Sequence, residues 1–332
     1  MRLVRSFVDA AAFRGAAVSI GNFDGVHRGH RAMLETLVAE ARQRDVPALV
    51  MTFDPHPIAL LAPEKAPPSL STLARKAELI AETGVDCLLG YPTKPALLNL
   101  SAREFFTRII RDHLEASGLV EGPNFRFGRG REGDVDLLRD LCEAEGMFLR
   151  VLEPVGDLLS PETPSLGGED AVQLGGEMIS SSRIRRAIAA GEVAEAATML
   201  GHAYRLTGLV RRGDGRGRTL GFPTANLHEV ATLCPPPGVY AGRVRIEGDE
   251  SSQPYEAAAH FGGNPTFGID EGRIEVHLLD YDGDLYDRRL HLDLVGRLRD
   301  ARRFEGPEAL REQLARDVAA ARTLLAAGVR ST

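Results

Sequence analysis

Two hydrophobic periods share this chain, and no single fold satisfies both. In the first half, short apolar runs alternate with stretches of helical spacing. Residues 17–22, 48–53 and 85–90 read as buried strands. Residues 27–44 put Met33, Leu34, Leu37, Val38 and Ala41 on one helical stripe, and residues 73–83 and 102–114 read as further helices. Strands alternating with helices predict a parallel sheet covered on both faces. After Tyr204 the period shortens to two. Val244 and Ile246 alternate with Arg243, Arg245 and Glu247. Ile274, Val276 and Leu278 alternate with Arg273, Glu275 and His277, and Leu290, Leu292 and Leu294 with Arg289, His291 and Asp293. That pattern marks half-buried antiparallel strands, and several of them between glycine turns predict a small barrel or sandwich. Residues 181–190 and 192–200 read as two short helices with Gly191 between them. Residues 307–326 read as a final helix with proline in its first turn. The change of period places a boundary near Gly191, giving domains 1–190 and 191–332. Residues 156–176 are rich in Pro, Gly, Ser and acids and read as a long loop.

Charge and cysteine usage narrow the function. A net charge of −7 argues against a chain built to coat nucleic acid or an anionic membrane. Cys87, Cys142 and Cys234 have neither metal-ligand nor redox spacing, and their odd number argues against a disulfide framework. A reducing compartment fits. Residues 1–15 do not read as a secretory leader, and no apolar run nears the roughly 20 residues that span a bilayer. A cytoplasmic protein is expected. Of the 40 Lys and Arg residues only Lys65, Lys76 and Lys94 are lysine. Beyond Lys94, therefore, neither a P-loop nor a protein-kinase ATP site has the lysine it needs.

The string Gly21-Asn22-Phe23-Asp24-Gly25-Val26-His27-Arg28-Gly29-His30 sits where the first expected strand hands over to the first expected helix. Ligands of parallel sheets bind outside the carboxyl ends of the strands. Glycines let backbone N–H groups approach a phosphate, and a helix N-terminus favours negative charge. His27 and His30, three apart, share a helical face and can donate to phosphate oxygens. The glutamate and spacing of a zinc-protease helix are absent.

This string resembles the HxGH nucleotidyltransferase signature of the bacterial bifunctional riboflavin kinase/FAD synthetase family. Asn124-Phe125-Arg126-Phe127-Gly128-Arg129, followed by Arg131-Glu132-Gly133-Asp134, resembles a second block of that family. Ile179-Ser180-Ser181-Ser182-Arg183-Ile184-Arg185 resembles a third, with Ser182 where threonine is usual. The resemblance implies that His27 and His30 stabilise the ATP phosphates as pyrophosphate leaves. It implies nucleotide contacts from Gly21, Phe23, Asp24, Gly25, Gly29 and Asn124, and phosphate contacts from Ser181 and Arg185. Residues 53–57, Phe-Asp-Pro-His-Pro, are expected to line the flavin side.

The densest glycine cluster, residues 213–221, leads into Gly221-Phe222-Pro223-Thr224-Ala225-Asn226. Glycines permit a loop to wrap a polyphosphate, although the cluster alone reads equally as a hairpin loop. Its Pro-Thr-Ala-Asn segment resembles the motif with which riboflavin kinases hold magnesium and ATP. That implies Thr224 and Asn226 as oxygen ligands of Mg²⁺, with Gly215 and Gly217 on the phosphates. Residues 237–240, 264–267 and 275–281 also match the family, and Glu275 falls at its catalytic base. Two departures stand out. The family usually has asparagine at His260 and commonly glycine at Asp287. The acidic run 280–284 lacks the glycine and distal glutamate of a calcium loop and reads as a hairpin turn at Asp282-Gly283.

The resemblance runs through essentially the whole chain. It implies an α/β nucleotidyltransferase of Rossmann-like, parallel-sheet, HxGH type, followed by an antiparallel β-barrel riboflavin kinase module with a C-terminal helix. The implied partners are riboflavin, FMN, FAD and ATP with Mg²⁺, without nucleic acid or membrane. Two other functions fit the same folds: an enzyme with one active module, and a flavin-binding regulator without catalysis. The regulator predicts loss of His27, His30, Thr224, Asn226 or Glu275, and all five are present.

Overall fold

The computed structural model describes residues 1–153, 178–213, 216–249, 253–264 and 269–328. The loop expected at 156–176, Gly215 and residues 265–267 lie outside the described residues. The chain divides into two compact units, Met1–Ser181 and Ser182–Thr332.

The first unit is built on a six-stranded sheet. Its strands are β1 (Arg2–Val4), β2 (Ala17–Ile20), β3 (Ala48–Asp54), β4 (Cys87–Pro92), β5 (Gly118–Glu121) and β6 (Phe148–Val151). They run in the order β1-β4-β3-β2-β5-β6 and every pair is parallel. Both faces are covered. Val18, Ile20, Leu49, Met51 and Leu89 face one core, and Ala17, Val50, Leu88 and Val120 face the other. Burial on both faces is why these strands read as unbroken apolar runs rather than alternating ones. From β2 the chain first builds outward through β3 and β4, then returns to place β5 on the other side. The gap between β2 and β5 is therefore the topological switch point, where open α/β sheets bind ligands.

Residues 102–114 are helical as expected, but only the first turn, Ala102–Phe105, is α-helix. Phe106–His113 widens into a π-helix. The buried positions explain it: Phe105, Phe106, Ile109, Ile110 and Leu114 recur every four to five residues, a spacing that suits i→i+5 turns better than a 3.6 period.

The second unit is a closed antiparallel barrel. Its strands are β7 (Tyr204–Arg211), β8 (Ala225–His228), β9 (Gly238–Ile246), β10 (Tyr255–Asn264), β11 (Ile269–Leu278) and β12 (Arg289–Asp300). Their order is β10-β11-β8-β7-β12-β9, closed by the β9–β10 pair. Val244, Ile246, Val276, Leu278, Leu290, Leu292 and Leu294 are buried, as their alternation in the sequence predicts, while Ile274 is half-buried; Leu206, Val210, Ala257 and Ala259 join them inside. The helix Val193–Leu200 packs on β7 and β12, and the helix Pro307–Gly328 on β9, β10 and β12. Ala321 and Leu325 of that last helix meet Ala241. Beside them Arg299 forks onto the buried Asp317 carboxylate at 2.7–3.1 Å.

The hairpin expected at Asp282-Gly283 is not formed. β11 pairs with β8 and β10, whereas β12 pairs with β7 and β9, so residues 279–288 cross between strands that are not neighbours. Two aspartates turn the ends of this excursion, Asp280 and Asp287, both at φ 58°. The left-handed region favours glycine and tolerates aspartate. That accounts for an aspartate where the family commonly has glycine, and Arg211 holds its carboxylate at 2.6 Å.

Candidate active sites

In the first unit, β2 ends at the switch point and the chain makes a tight, strained turn. Phe23 has φ 46°, Gly25 φ 81° and Val26 φ 42°. A β-branched residue at positive φ is a true outlier, and such strain persists only where the surroundings over-determine it. Here they do. The Gly25 N–H donates to Ser71 Oγ at 3.0 Å. The Asp24 carboxylate accepts from the backbone N–H groups of Leu70 and Ser71 at 3.0–3.1 Å. Ser181 Oγ donates to the Asp24 carbonyl at 3.0 Å. The side chains of Asp24 and Ser181 thus brace the turn itself.

The turn delivers His27 to the N-cap of the helix Arg28–Gln43, where its Nδ1 accepts from the His30 N–H at 3.3 Å. The two rings stack with centroids 3.6 Å apart. A Cβ on Gly29 would stand 3.3 Å from the His27 ring, so glycine gives the ring room. Burial pushes the His27 imidazole down to about 4, partly opposed by the Asp24 charge. Burial also holds His30 well below its ordinary value, reinforced by repulsion from His27 when that ring is protonated and by the nearby Lys76 charge. Both rings are therefore neutral near pH 7, and each carries one N–H donor. Because His27 Nδ1 accepts, its proton lies on Nε2.

Asn124 is exposed on the loop after β5, the strand beside β2, with its Nδ2 4.0 Å from Met178 Sδ. It therefore shares the carboxyl edge of the sheet with the histidines. The 53–57 segment comes to the same edge, where Asn22 Nδ2 lies 2.9 Å from His56 Nε2. Arg185 is half-buried on the helix Ser181–Ala190 and belongs to the second unit. Sequence reading missed Leu70 and Ser71. They lie more than 40 positions from the turn they hold, and nothing local in the sequence marks them.

In the second unit, the β8–β11 register sets Asn226 directly opposite Glu275, and the β10–β11 register sets His260 on the other side of Glu275. Side chains of paired positions share a face, so all three point out of the barrel while Ala225 and Val276 are buried. Gly213 and Gly217 lie close against residues 222–226. A Cβ on Gly213 would lie 2.3 Å from the Asn226 carboxamide, and one on Gly217 would lie 2.4 Å from the Phe222 carbonyl and 3.2 Å from Thr224 Oγ1. At Gly217 the Phe222 carbonyl leaves no room for a side chain, and at Gly213 a side chain would have to displace the Asn226 carboxamide. His277, unassigned from the sequence, donates through Nδ1 to the Pro223 carbonyl at 2.7 Å and ties that segment to β11. Beside Thr224 opens a cavity of ≈ 590 Å³ whose lining includes Val210, Arg218, Leu278, Tyr281 and Tyr286. Among the described residues no group of three or more His, Cys, Asp or Glu could hold a metal ion. A cation here would instead have neutral oxygen donors, Thr224 Oγ1 and Asn226 Oδ1. Those suit a hard ion that keeps several waters.

Comparison with known proteins matches both units. Residues 9–160 match the FAD synthetase family and residues 200–325 the riboflavin kinase family. The bifunctional riboflavin kinase/FMN adenylyltransferase of Escherichia coli K12 is 38% identical over 324 residues, 97% of each chain. The protein of the same description from Bacillus subtilis is 31% identical, covering 91% of this chain and 90% of its own. A solved structure described as a macrolide-efflux protein from Streptococcus pneumoniae has TM-score 0.80 at 30% identity, covering 97% of this chain and 98% of its own. The resemblance carried by the three strings at 21–30, 124–134 and 179–185 and by the Thr224–Asn226 segment thus extends over nearly every residue, and the chain belongs to the bifunctional riboflavin kinase/FMN adenylyltransferase family.

Proposed function

We propose that this chain converts riboflavin to FMN in its second unit and FMN to FAD in its first, using ATP in both steps. What supports the reading is that each unit carries its own phosphate-handling constellation. In the first, the FMN phosphate attacks the α-phosphorus of ATP and pyrophosphate leaves. The neutral His27 and His30 rings donate N–H groups to the triphosphate as charge develops on the leaving group. The helix N-terminus and the backbone from Gly21 to Gly29 add fixed dipoles. Two imidazolium rings 3.6 Å apart would repel, so the pair takes up at most one proton. Phe23, Asp24 and Gly25 shape the turn, and Asn124 and Ser181 complete the nucleotide contacts.

In the second unit, Glu275 takes the proton of the terminal ribityl hydroxyl as that oxygen attacks the γ-phosphorus. Thr224 and Asn226 would hold Mg²⁺, which neutralises phosphate charge when bound. Gly217, whose backbone passes close to Thr224 Oγ1, and Gly215 are assigned to the phosphates on the family resemblance. Asn226 faces Glu275 across one strand pair, which brings the cation ligands and the base together. The proposed domains are 1–190 for adenylyl transfer and 191–332 for phosphorylation. Among the described residues no helix is long and apolar enough to cross a membrane. The cytoplasmic location is proposed from cysteine spacing.

The test is chromatography of the products from riboflavin and Mg-ATP. FMN and FAD together are expected. FMN alone would leave only the second unit active, and neither product would leave a flavin-binding protein.

A further inference from the structure

Lys65 and Lys94 are exposed, but Lys76 is 7% exposed, on the helix Leu73–Ala81. Its Nζ donates to the Asn22 carbonyl at 2.5 Å and to Thr52 Oγ1 at 3.2 Å. The Thr52 hydroxyl donates to the same carbonyl at 3.1 Å. Asn22 stands immediately before Phe23, the first residue of the strained turn. Residues 70 and 71, just ahead of the same helix, hold Asp24 and Gly25. One short segment thus grips the turn at Asn22, Asp24 and Gly25, on both sides of Phe23.

Burying an ammonium is costly unless it is compensated. Burial does lower the Lys76 pKa, with Asp24 and Asp54 opposing that shift. A carbonyl on one side and a hydroxyl on the other suit a compact ammonium with rotatable donors, whereas a planar guanidinium fork needs more room. A chain that otherwise makes its cations almost wholly from arginine has lysine here. Resting on the adenylylation reading, we propose that Lys76 is a positioning residue for adenylyl transfer, locking the Asn22 carbonyl and with it the strained turn that presents His27 and His30 to the triphosphate.

The full chain is assayed as Lys76→Met and Lys76→Gln, for FAD from FMN and, separately, for FMN from riboflavin. Met keeps the apolar stem and loses every donor. Gln loses the charge and keeps an N–H donor for the carbonyl. Small misplacements of catalytic groups cost up to about 10² in rate. Lys76→Met is expected to lower kcat for FAD formation about 10–100-fold with KM for ATP little changed, and Lys76→Gln to restore most of it. FMN formation from riboflavin stays at the parent rate in both. A folded Met variant with the parent kcat overturns the proposal, and so does a Gln variant no better than Met. Should Met prevent folding of the first unit, Thr52→Val removes the other bond to the same carbonyl, and a parent kcat there overturns the proposal equally. A parent that makes FMN but no FAD overturns the adenylylation reading itself, and this role with it.

Discussion

Glu121 is a carboxyl buried where the sheet opens. β2 and β5 pair only through Ala17–Gly118 and Val18–Leu119. Beyond that the strands part, and the Ile20 N–H donates to Glu121 Oε1 at 2.7 Å. The side chain, 1% exposed, thus substitutes for a missing ladder bond at the floor of the switch-point crevice. Burial raises its pKa well above the ordinary carboxyl value, with the Ile20 bond opposing. The sign of the linkage follows. The unfolded chain releases this proton near pH 4 while the folded chain keeps it, so stability is fully present below that pH and falls as pH rises toward the folded pKa. Glu121→Gln keeps the acceptor and has no proton to lose. Its advantage in Tm over the parent should therefore be small at pH 4 and grow toward pH 8. Each 1 kcal/mol gained corresponds to about 2–4 °C for a unit of this size. Thermal unfolding at both pH values checks it, and an advantage that shrinks with pH contradicts the assignment. Nothing in the sequence announced this residue, because β5 is a four-residue strand ending in an acid and defeats a periodicity reading. His27, His30, Thr224, Asn226 and Glu275 were legible because each lies in a short contiguous string. The groups that hold them in place were not, since they arrive from distant parts of the chain.

At the scale of elements, the alternating patterns survived folding well. The β11–β12 connection did not, since an Asp-Gly pair says nothing about which strands become neighbours. The helix pair around Gly191 was read correctly, and it bears on where the chain can be cut. Val193, Ala196, Met199 and Leu200 of the helix Val193–Leu200 are each at most 1% exposed, and that helix packs on β7 and β12. Burying a Val, Met or Leu side chain contributes about 1.5–3 kcal/mol, and a whole domain is stable by only about 5–15 kcal/mol. The proposed boundary at Gly191 keeps this helix with the barrel. A fragment of residues 191–332 should fold and phosphorylate riboflavin. A fragment starting at Gly201 should have a much lower Tm and little activity. Circular dichroism melts and FMN formation by the two fragments measure the difference, and equal stability would mean that the helix adds nothing to the barrel.

At the scale of the whole molecule, each proposed site is built almost entirely from residues of one unit, which predicts that the two activities can be removed one at a time. Glu275 is the sharper probe. On a polar strand face a glutamate is ordinarily just solvated. Here the register puts it between Asn226 and His260, beside the glycine loop that runs against the Asn226 carboxamide. A general base contributes about 10²–10⁴ in rate. Glu275→Gln keeps the shape and removes the basicity, so FMN formation from riboflavin should fall at least about 10²-fold, while Mg-ATP still binds and supplied FMN is still adenylylated. His30→Ala should do the reverse, lowering FAD formation by roughly 10²–10³, as for one lost preorganised donor, with riboflavin phosphorylation intact. Both variants are assayed on riboflavin and on FMN, in the full chain. If Glu275→Gln phosphorylates riboflavin at close to the parent rate, Glu275 is not the base. If either substitution depresses both reactions equally in a folded protein, the two sites are not independent, and the division of labour between the units is wrong.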